Sequence, residues 1–148
     1  MAQKSAARPD LAGYSGTPLP QKLRIAEGAV VALLHAPQGF RSKLVPLPPK
    51  VKLQNRTDAA AVILAFYESA ARLAREIPSL ARAITEGRNT LWLIWPKQSS
   101  GVKTDLTGNE VRKFGLAAGL VDYKVCAVDE TWSGLAFAAR RTKPANAR

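Results

Sequence analysis

Three short apolar runs constrain the fold of this chain more than any other feature. They are AVVALL (29–34), AAVILAF (60–66) and TLWLIW (90–95). Runs of this length without polar alternation are typical of strands that are buried on both faces of a sheet. After the second run, apolar residues recur at alternating spacings of four and three, which predicts an amphipathic helix with one face on the sheet. The residues in this helical pattern are Phe66, Ala70, Leu73, Ile77, Leu80 and Ile84.

Prolines shape two other segments. The stretch FRSKLVPLPPKVKLQNR (40–56) contains three prolines, which predict a loop followed by a short strand at Val51–Leu53. Pro78 falls inside the helical pattern. A proline at that position removes one helical hydrogen bond, so we expect the helix to be kinked or broken near Ile77.

A second helix is indicated by its start signals. Thr107 and Glu110 have the spacing of a capping box, in which the two side chains satisfy backbone N–H groups of the first turn. Leu106 and Val111 occupy the matching positions of a hydrophobic staple. We therefore expect a helix from about residue 108 to residue 118, with Gly119 as its stop.

The closing segments VDYKVCAVD (121–129) and WSGLAFAAR (132–140) predict a hairpin with a tight turn. Strands that alternate with helices pair in parallel through right-handed crossovers. The 148 residues are therefore predicted to form one α/β domain, a Rossmann-like three-layer sandwich. Its mostly parallel sheet has five or six strands and ends in an antiparallel hairpin. The predicted boundaries are a flexible arm at 1–18, the domain at 19–141 and a basic tail at 142–148.

The chain carries 22 Lys and Arg against 11 Asp and Glu, a formal net charge of +11. This charge attracts polyanions, although solvated surface charge is the simpler interpretation. Non-specific nucleic-acid binding is therefore kept as an alternative function. Exposed aromatic residues at Tyr14, Phe40 and Trp132 would favour it, whereas Trp92 and Trp95 are expected in the core. The basic strip for that alternative comprises Arg41, Lys43, Lys50, Lys52 and Arg56.

One cysteine and one histidine exclude an intrachain disulfide and the usual zinc patterns. No metal or cofactor is therefore predicted. No apolar stretch approaches the roughly 20 residues of a membrane helix, and no secretory signal is evident, so we expect a cytoplasmic protein without membrane contact. His35, Cys126 and Asp129 are the residue types of a nucleophilic triad, but a cysteine inside an apolar strand is more often a small hydrophobe. No catalytic residue is predicted.

The order of elements resembles a Rossmann-like methyltransferase sheet. The segment from AAVILAF through TLWLIWP to the closing hairpin resembles its second half, and LRIAEGAVVALLHAPQGF resembles its first strand. Two features of that family are missing. The loop HAPQGF has Gly39 alone where several glycines approach the nucleotide, and Gln54-Asn55 replaces the acid that bonds the ribose. A degenerate methyltransferase-type enzyme is the second alternative function, without S-adenosylmethionine or NAD binding.

Three longer segments are similar to the bacterial family of domain of unknown function 3052. They are AGYSGTPLPQKL (12–23), LIWPKQSSGVKTDLT (93–107) and GLVDYKVCAVDETWSGLAFAARR (119–141). The resemblance implies a small cytoplasmic bacterial protein. It implies no activity, so no residue roles are transferred from it.

Ligands of a parallel sheet gather beyond the carboxyl ends of its strands. The loop WPKQSSGVKTDLT (95–107) comes to that edge, but it lacks the glycine spacing of a Walker motif. We expect the edge to bind a small anionic ligand or a protein partner, unless its charges only pair with each other, which is worth about 0–1 kcal/mol. The candidate binding residues are His35, Gln38, Lys97, Ser99, Ser100, Lys103, Asp129, Glu130 and Trp132.

Overall fold

The structure is a computed structural model that describes residues 17–140. The predicted basic tail and nearly all of the predicted arm lie outside the described residues. The strands are β1 (Val30–Leu34), β2 (Lys52–Gln54), β3 (Val62–Phe66), β4 (Thr90–Pro96), β5 (Leu120–Ala127) and β6 (Trp132–Ala139). The helices are α1 (Leu19–Lys22), α2 (Phe40–Lys43), α3 (Ala70–Arg82) and α4 (Gly108–Ala117), with a 3-10 turn at Gln98–Ser100.

The six strands form one mixed sheet in the order β2-β1-β3-β4-β6-β5. The pairs β1–β2, β1–β3 and β3–β4 are parallel. Strand β6 runs antiparallel to both of its neighbours, β4 and β5. The predicted mostly parallel sheet with an antiparallel hairpin is therefore confirmed. All five residues of β3 are buried, as expected for a strand in the middle of such a sheet.

The two faces of the sheet are covered differently. On one face, Leu73 and Ile77 of α3 and Val111 of α4 pack on alternate residues of the strands. On the other face, Phe40 and Leu44 in and after α2 join the segment after α1 in a second core. The sandwich thus has three layers, but one outer layer consists of four-residue helices and loops.

Of the two outcomes predicted near Ile77, a kink or a break, the break does not occur, because α3 runs without interruption from Ala70 to Arg82. The proline cannot donate the hydrogen bond that Ala74 would accept. Both residues are exposed, so water can satisfy that carbonyl. The apolar face continues on both sides of the proline through Leu73 and Leu80, and this packing outweighs the local cost.

The start of α4 confirms the N-cap half of the predicted capping box and the burial of the staple residues. Thr107 Oγ1 accepts a hydrogen bond from the Glu110 N–H at 3.2 Å. The staple residues Leu106 and Val111 are both buried. Inside the helix, a Cβ added at Gly115 would collide with the ring of Phe137. Only glycine at this position lets α4 pack this closely on β6.

Two details of the basic stretch 40–56 differ from the prediction. Its first four residues form α2 instead of a loop. The turn of helix is favoured because it buries the Phe40 ring, which stacks edge-on against Phe66 at 4.8 Å. Strand β2 covers Lys52–Gln54, one residue later than expected. Within residues 17–140, no helix is long and apolar enough to cross a membrane.

Candidate functional site

The strand order reverses at β1, which has β2 on one side and β3 on the other. In open α/β sheets, ligands bind outside the carboxyl ends of the strands at such a switch point. Strand β1 ends at Leu34 and β3 ends at Phe66. The next residues, His35 and Tyr67, therefore meet at this place, with their ring centroids 5.4 Å apart.

A polar cluster, here called the switch-point cluster, is formed by His35, Tyr67, Arg72 and Glu76. The Tyr67 hydroxyl donates to Glu76 Oε1 at 2.5 Å, and His35 Nε2 lies 2.9 Å from the same oxygen. Arg72 Nε donates to Glu76 Oε2 at 3.3 Å. Arg72 Nη2 lies 3.2 Å from His35 Nδ1. Glu76 is thus the common acceptor of three donors.

Local backbone structure places these side chains. His35 has a φ of 59°, a left-handed conformation that turns the chain sharply at the end of β1 and that is uncommon for a residue with a Cβ. Arg72 and Glu76 are four residues apart in α3, so they share one helix face. The start of α3 is fixed by Ser69 Oγ, which accepts from the Arg72 N–H at 3.2 Å, and by Asp105 Oδ1, which accepts from the Ala70 N–H at 2.8 Å.

The cluster fixes the charge of two members. Burial alone would raise the pKa of Glu76, but the hydrogen bonds from Tyr67, His35 and Arg72 outweigh it and lower that pKa to about 2. Burial, together with the hydrogen bond to Glu76, raises the pKa of Tyr67 well above its usual range. Glu76 is therefore a carboxylate and Tyr67 a neutral donor over the whole physiological range.

A pocket of about 270 Å³ opens beside the cluster. It is lined by His35, Phe66, Tyr67, Glu68, Ser69, Arg72 and Trp132. A groove of about 480 Å³ on the other side of His35 is lined by residues 33 and 35–41, among them Gln38 and Arg41. We call the first cavity the switch-point pocket and the second the outer groove. His35 is the wall that they share.

The structure brings three predicted residues to this site. His35 and Trp132 line the switch-point pocket, and Gln38 lines the outer groove with His35. The loop residues Lys97, Ser99, Ser100 and Lys103 are not among the residues that line either cavity.

Hydrogen bonds within the loop explain part of its polar composition. Ser100 Oγ donates to the Lys97 carbonyl at 2.7 Å and accepts from the Val102 N–H at 3.1 Å. Thr104 Oγ1 donates to the Glu68 carbonyl at 2.6 Å. The loop therefore supports the wall of the switch-point pocket from outside, while Ser99 and Lys103 are exposed.

Asp129 lies in a different environment from the one expected of a ligand-binding carboxylate. It is 2% exposed, and its Oδ1 accepts from the N–H groups of Thr131 and Trp132, both at 2.8 Å. Its Oδ2 accepts from Lys43 Nζ at 2.8 Å, and that hydrogen bond raises the pKa of Lys43. Asp129 thus fixes the β5–β6 turn and places Trp132 against the pocket, whereas Glu130 beside it is exposed.

The hydrogen-bond partners of His35 and Asp129 and the burial of Cys126 argue against the triad. Both ring nitrogens of His35 have Arg72 and Glu76 as partners. Cys126 is buried, and burial raises the pKa of its thiol, so the thiolate that would act as nucleophile is disfavoured.

For nucleic acid, the expectation of exposed aromatics is wrong at two positions. Phe40 and Trp132 are buried, each packing edge-on against Phe66. Tyr14 lies outside the described residues. All five residues of the basic strip are exposed, and two of them are paired with carboxylates, Lys43 with Asp129 and Arg56 with Asp58. Non-specific backbone binding by these residues stays a prediction.

The central residues that sequence reasoning missed are Arg72 and Glu76. Their one signal in the sequence is a basic–acidic pair at i and i+4 directly after a buried strand. The same spacing is common on solvated helix faces, so it does not single out a site. Tyr67 directly follows AAVILAF, so its place at this edge follows from the strand prediction, but its hydrogen bond to Glu76 does not.

Comparisons with known proteins concern the fold. No family model matches the chain, and no curated protein sequence matches it; membership of the domain of unknown function 3052 family stays a prediction. Solved structures do match. A LepI variant in complex with SAH and a substrate analogue has a TM-score of 0.49 at 10% identity, over 82% of this chain and 39% of LepI. The B. subtilis tRNA methyltransferase TrmK has a TM-score of 0.47 at 13% identity, over 83% of this chain and 65% of TrmK. LepI in complex with SAM has a TM-score of 0.46 at 11% identity, over 82% of this chain and 39% of LepI. The chain thus spans less than two thirds of either protein.

Proposed function

We propose that this chain binds a small anionic ligand in the switch-point pocket. The observation that supports the proposal is that part of the hydrogen-bonding capacity of Arg72 is unused. A guanidinium has five N–H donors, of which Arg72 uses one on Nε and one on Nη2 within the cluster. The other three form no hydrogen bond to any of residues 17–140, and the side chain lines the pocket with 48% of its surface exposed.

The hydrogen bonds to Glu76 and His35 hold the guanidinium in place before a ligand arrives. A planar, oriented guanidinium binds carboxylate, sulfate or phosphate groups with little loss of side-chain entropy. The start of α3 contributes less, because Ser69 and Asp105 already accept from two of its N–H groups. The anion partner in this proposal is therefore the arginine side chain and not the helix terminus.

The pocket volume limits the ligand. A pocket of about 270 Å³ is slightly smaller than the usual range of ligand sites, roughly 300–1,000 Å³. It suits a ligand of a few heavy atoms, or the anionic end of a longer ligand that continues past His35 into the outer groove. Catalysis is no part of the proposal, because both ring nitrogens of His35 are engaged and the Cys126 thiol is buried.

A thermal-shift screen tests the proposal. The panel holds sulfate, phosphate, small carboxylates, nucleotides and, for the degenerate-methyltransferase alternative, S-adenosylmethionine. A ligand at about 100 times its Kd should add about 2.7 kcal/mol to the unfolding free energy. We expect Arg72→Gln to abolish the shift that anions produce, while Arg75→Gln, an exposed arginine of the same helix, keeps it.

A second pair of variants separates the pocket from the loop that follows β4. Lys97→Ala combined with Lys103→Ala should leave the shift unchanged. If this double variant loses the shift and Arg72→Gln retains it, the ligand binds at the loop and the proposal is wrong. A shift with S-adenosylmethionine alone would favour the methyltransferase-type alternative, and a silent screen would favour a protein partner.

A further inference from the structure

The hydrogen bonds of the switch-point cluster determine the tautomer of His35. A guanidinium only donates, so His35 Nδ1, 3.2 Å from Arg72 Nη2, must be the acceptor and carry no proton. A carboxylate only accepts, so Nε2, 2.9 Å from Glu76 Oε1, must carry the proton. The imidazole is therefore neutral with its proton on Nε2, and Arg72 occupies the site where a second proton would bind.

An anion bound to Arg72 favours protonation of His35 Nδ1 in two ways. It binds the free N–H groups of Arg72 and pulls the guanidinium towards itself, which weakens the hydrogen bond from Nη2 to His35 Nδ1 and frees the lone pair of Nδ1. It also offsets the positive charge of Arg72, which opposes a second positive charge on the imidazole beside it. A protonated imidazole could then donate from Nδ1 to the anion while Nε2 continues to donate to Glu76.

We propose that an anion bound at Arg72 draws a proton onto His35, so that the protonated imidazole becomes the second donor to the anion and binding is coupled to proton uptake. This inference rests on the proposed function. It adds that two cationic side chains bind the ligand, Arg72 and protonated His35, and that His35 is protonated only in the complex. The pocket therefore selects anions and binds them more tightly as the pH falls.

The charged and titratable groups around His35 are consistent with this coupling. Arg72 and Glu76 face it from α3, Tyr67 and Glu68 from the end of β3, and Arg41 from the outer groove. Glu76 is ionised and Tyr67 is neutral near pH 7 because of the shifts of their pKa values. Histidine is the residue type that ordinarily gains its proton between about pH 5 and 8. Glu76 and the exposed Glu68 supply negative charge that favours the imidazolium.

The chain offers a direct measurement because it contains one histidine. With the uniformly ¹⁵N-labelled, tag-free protein, long-range ¹H–¹⁵N spectra report the tautomer and the protonation of the His35 ring alone. The probe is sulfate, which has no titration of its own near neutral pH, and sodium chloride at equal ionic strength is the reference. We expect the free protein to show the Nε2–H tautomer at pH 8.

With saturating sulfate, we expect the midpoint of the His35 titration to rise by about one pH unit or more. By linkage, such a rise equals a tenfold or larger difference in sulfate affinity between the protonated and neutral forms. His35→Asn tolerates the positive φ of this position and removes the titrating group. Loss of the hydrogen bond to Arg72 should weaken sulfate binding at pH 8, and the remaining binding should not tighten at lower pH. Arg72→Gln should abolish both the binding and the rise, and Arg75→Gln should change neither.

The outcomes separate the two proposals. If sulfate shifts the backbone signals around the pocket while the His35 midpoint stays unchanged or falls, the inference is overturned and the proposed function stands. If sulfate shifts no pocket signal in the wild-type protein, the proposed function is overturned and the inference falls with it. A rise of the midpoint that persists in Arg72→Gln would also overturn the inference, because the anion would then act without the guanidinium.

Discussion

Replacing Glu76 with glutamine removes the carboxylate on which three donors converge. The amide oxygen of the introduced side chain can still accept hydrogen bonds, but its NH₂ group would take the place of one carboxylate oxygen and face a donor that it cannot satisfy. The shift of the pKa of Glu76 from 4.5 to about 2 corresponds to about 3 kcal/mol of stabilisation before solvent screening is considered. Because the side chain is 33% exposed, solvent screening reduces this stabilisation. We expect Glu76→Gln to lower the unfolding free energy by about 1–2 kcal/mol at pH 7.

The sign of the pH dependence follows from the direction of the shift. The pKa of Glu76 is lower in the folded protein than in the unfolded chain, so its contribution is complete well above pH 4.5. It is lost as the pH falls from 4.5 towards about 2. The difference in unfolding free energy between the wild-type protein and Glu76→Gln should therefore be largest near pH 7 and shrink steadily at low pH.

Urea unfolding followed by tryptophan fluorescence at pH 7, 5, 4 and 3 measures this difference. Glu27→Gln, at an exposed position in the turn before β1, is the matched control and should stay within about 0.5 kcal/mol of the wild-type protein at each pH. A difference for Glu76→Gln that remains constant from pH 7 to pH 3 would refute the reasoning, because the stabilisation would then not come from the charge of the carboxylate.

Three other predictions concern the rim of the pocket, the hairpin turn and the contact between α4 and the sheet. Glu68→Gln removes a negative charge from the pocket lining. It should tighten sulfate binding about two- to fivefold in calorimetry at low salt, with a smaller effect at high salt. Weaker binding by this variant would contradict the anion site. Asp129→Ala leaves two backbone N–H groups without their acceptor and should cost about 1–3 kcal/mol in urea unfolding, while the exposed Glu130→Ala should be nearly neutral. Gly115→Ala drives a methyl group into the buried ring of Phe137 and should lower the unfolding free energy by about 1–3 kcal/mol. A thermal unfolding midpoint equal to that of the wild-type protein would contradict this, because it would show that the helix can move away.

The fold was largely predictable because strands that are buried on both faces consist of apolar residues, which are visible in the sequence. AVVALL, AAVILAF and TLWLIW have no polar position inside the strand, and each lies in a strand with helices or loops on both faces. The signals at the start of α4 were equally local, since Thr107 and its hydrogen-bonding partner lie three residues apart. Pro78 was misjudged because its local cost is smaller than the packing of the helix face around it, which depends on the sheet and cannot be read from the helix alone.

The site was predictable in place but not in composition. The carboxyl edge of the sheet follows from the strand order, and His35, Gln38 and Trp132 were expected there. The composition of the switch-point cluster depends on a contact between His35 and Glu76, which are 41 residues apart, and on the left-handed turn at His35. Neither the contact nor the turn has a local sequence pattern. The serines and lysines after β4 were more conspicuous, but the two hydrogen bonds of the Ser100 hydroxyl show that this serine serves the loop itself.

A polar cluster that only stabilises the fold would be expected to satisfy its own donors. In this cluster the carboxylate of Glu76, both nitrogens of His35 and the hydroxyl of Tyr67 are all satisfied. Among the described residues, the exceptions are the outer N–H groups of Arg72. Holding His35 in the left-handed region costs about 1–2 kcal/mol, and an ion pair between Arg72 and Glu76 needs neither that turn nor the histidine. Such conformations are concentrated at functional sites, and of the four described non-glycine residues with a positive φ only His35 lines the switch-point pocket. The left-handed turn is explained if His35 must lie between Glu76 and a ligand. In that position its Nδ1 can give up the hydrogen bond from Arg72 and take up a proton.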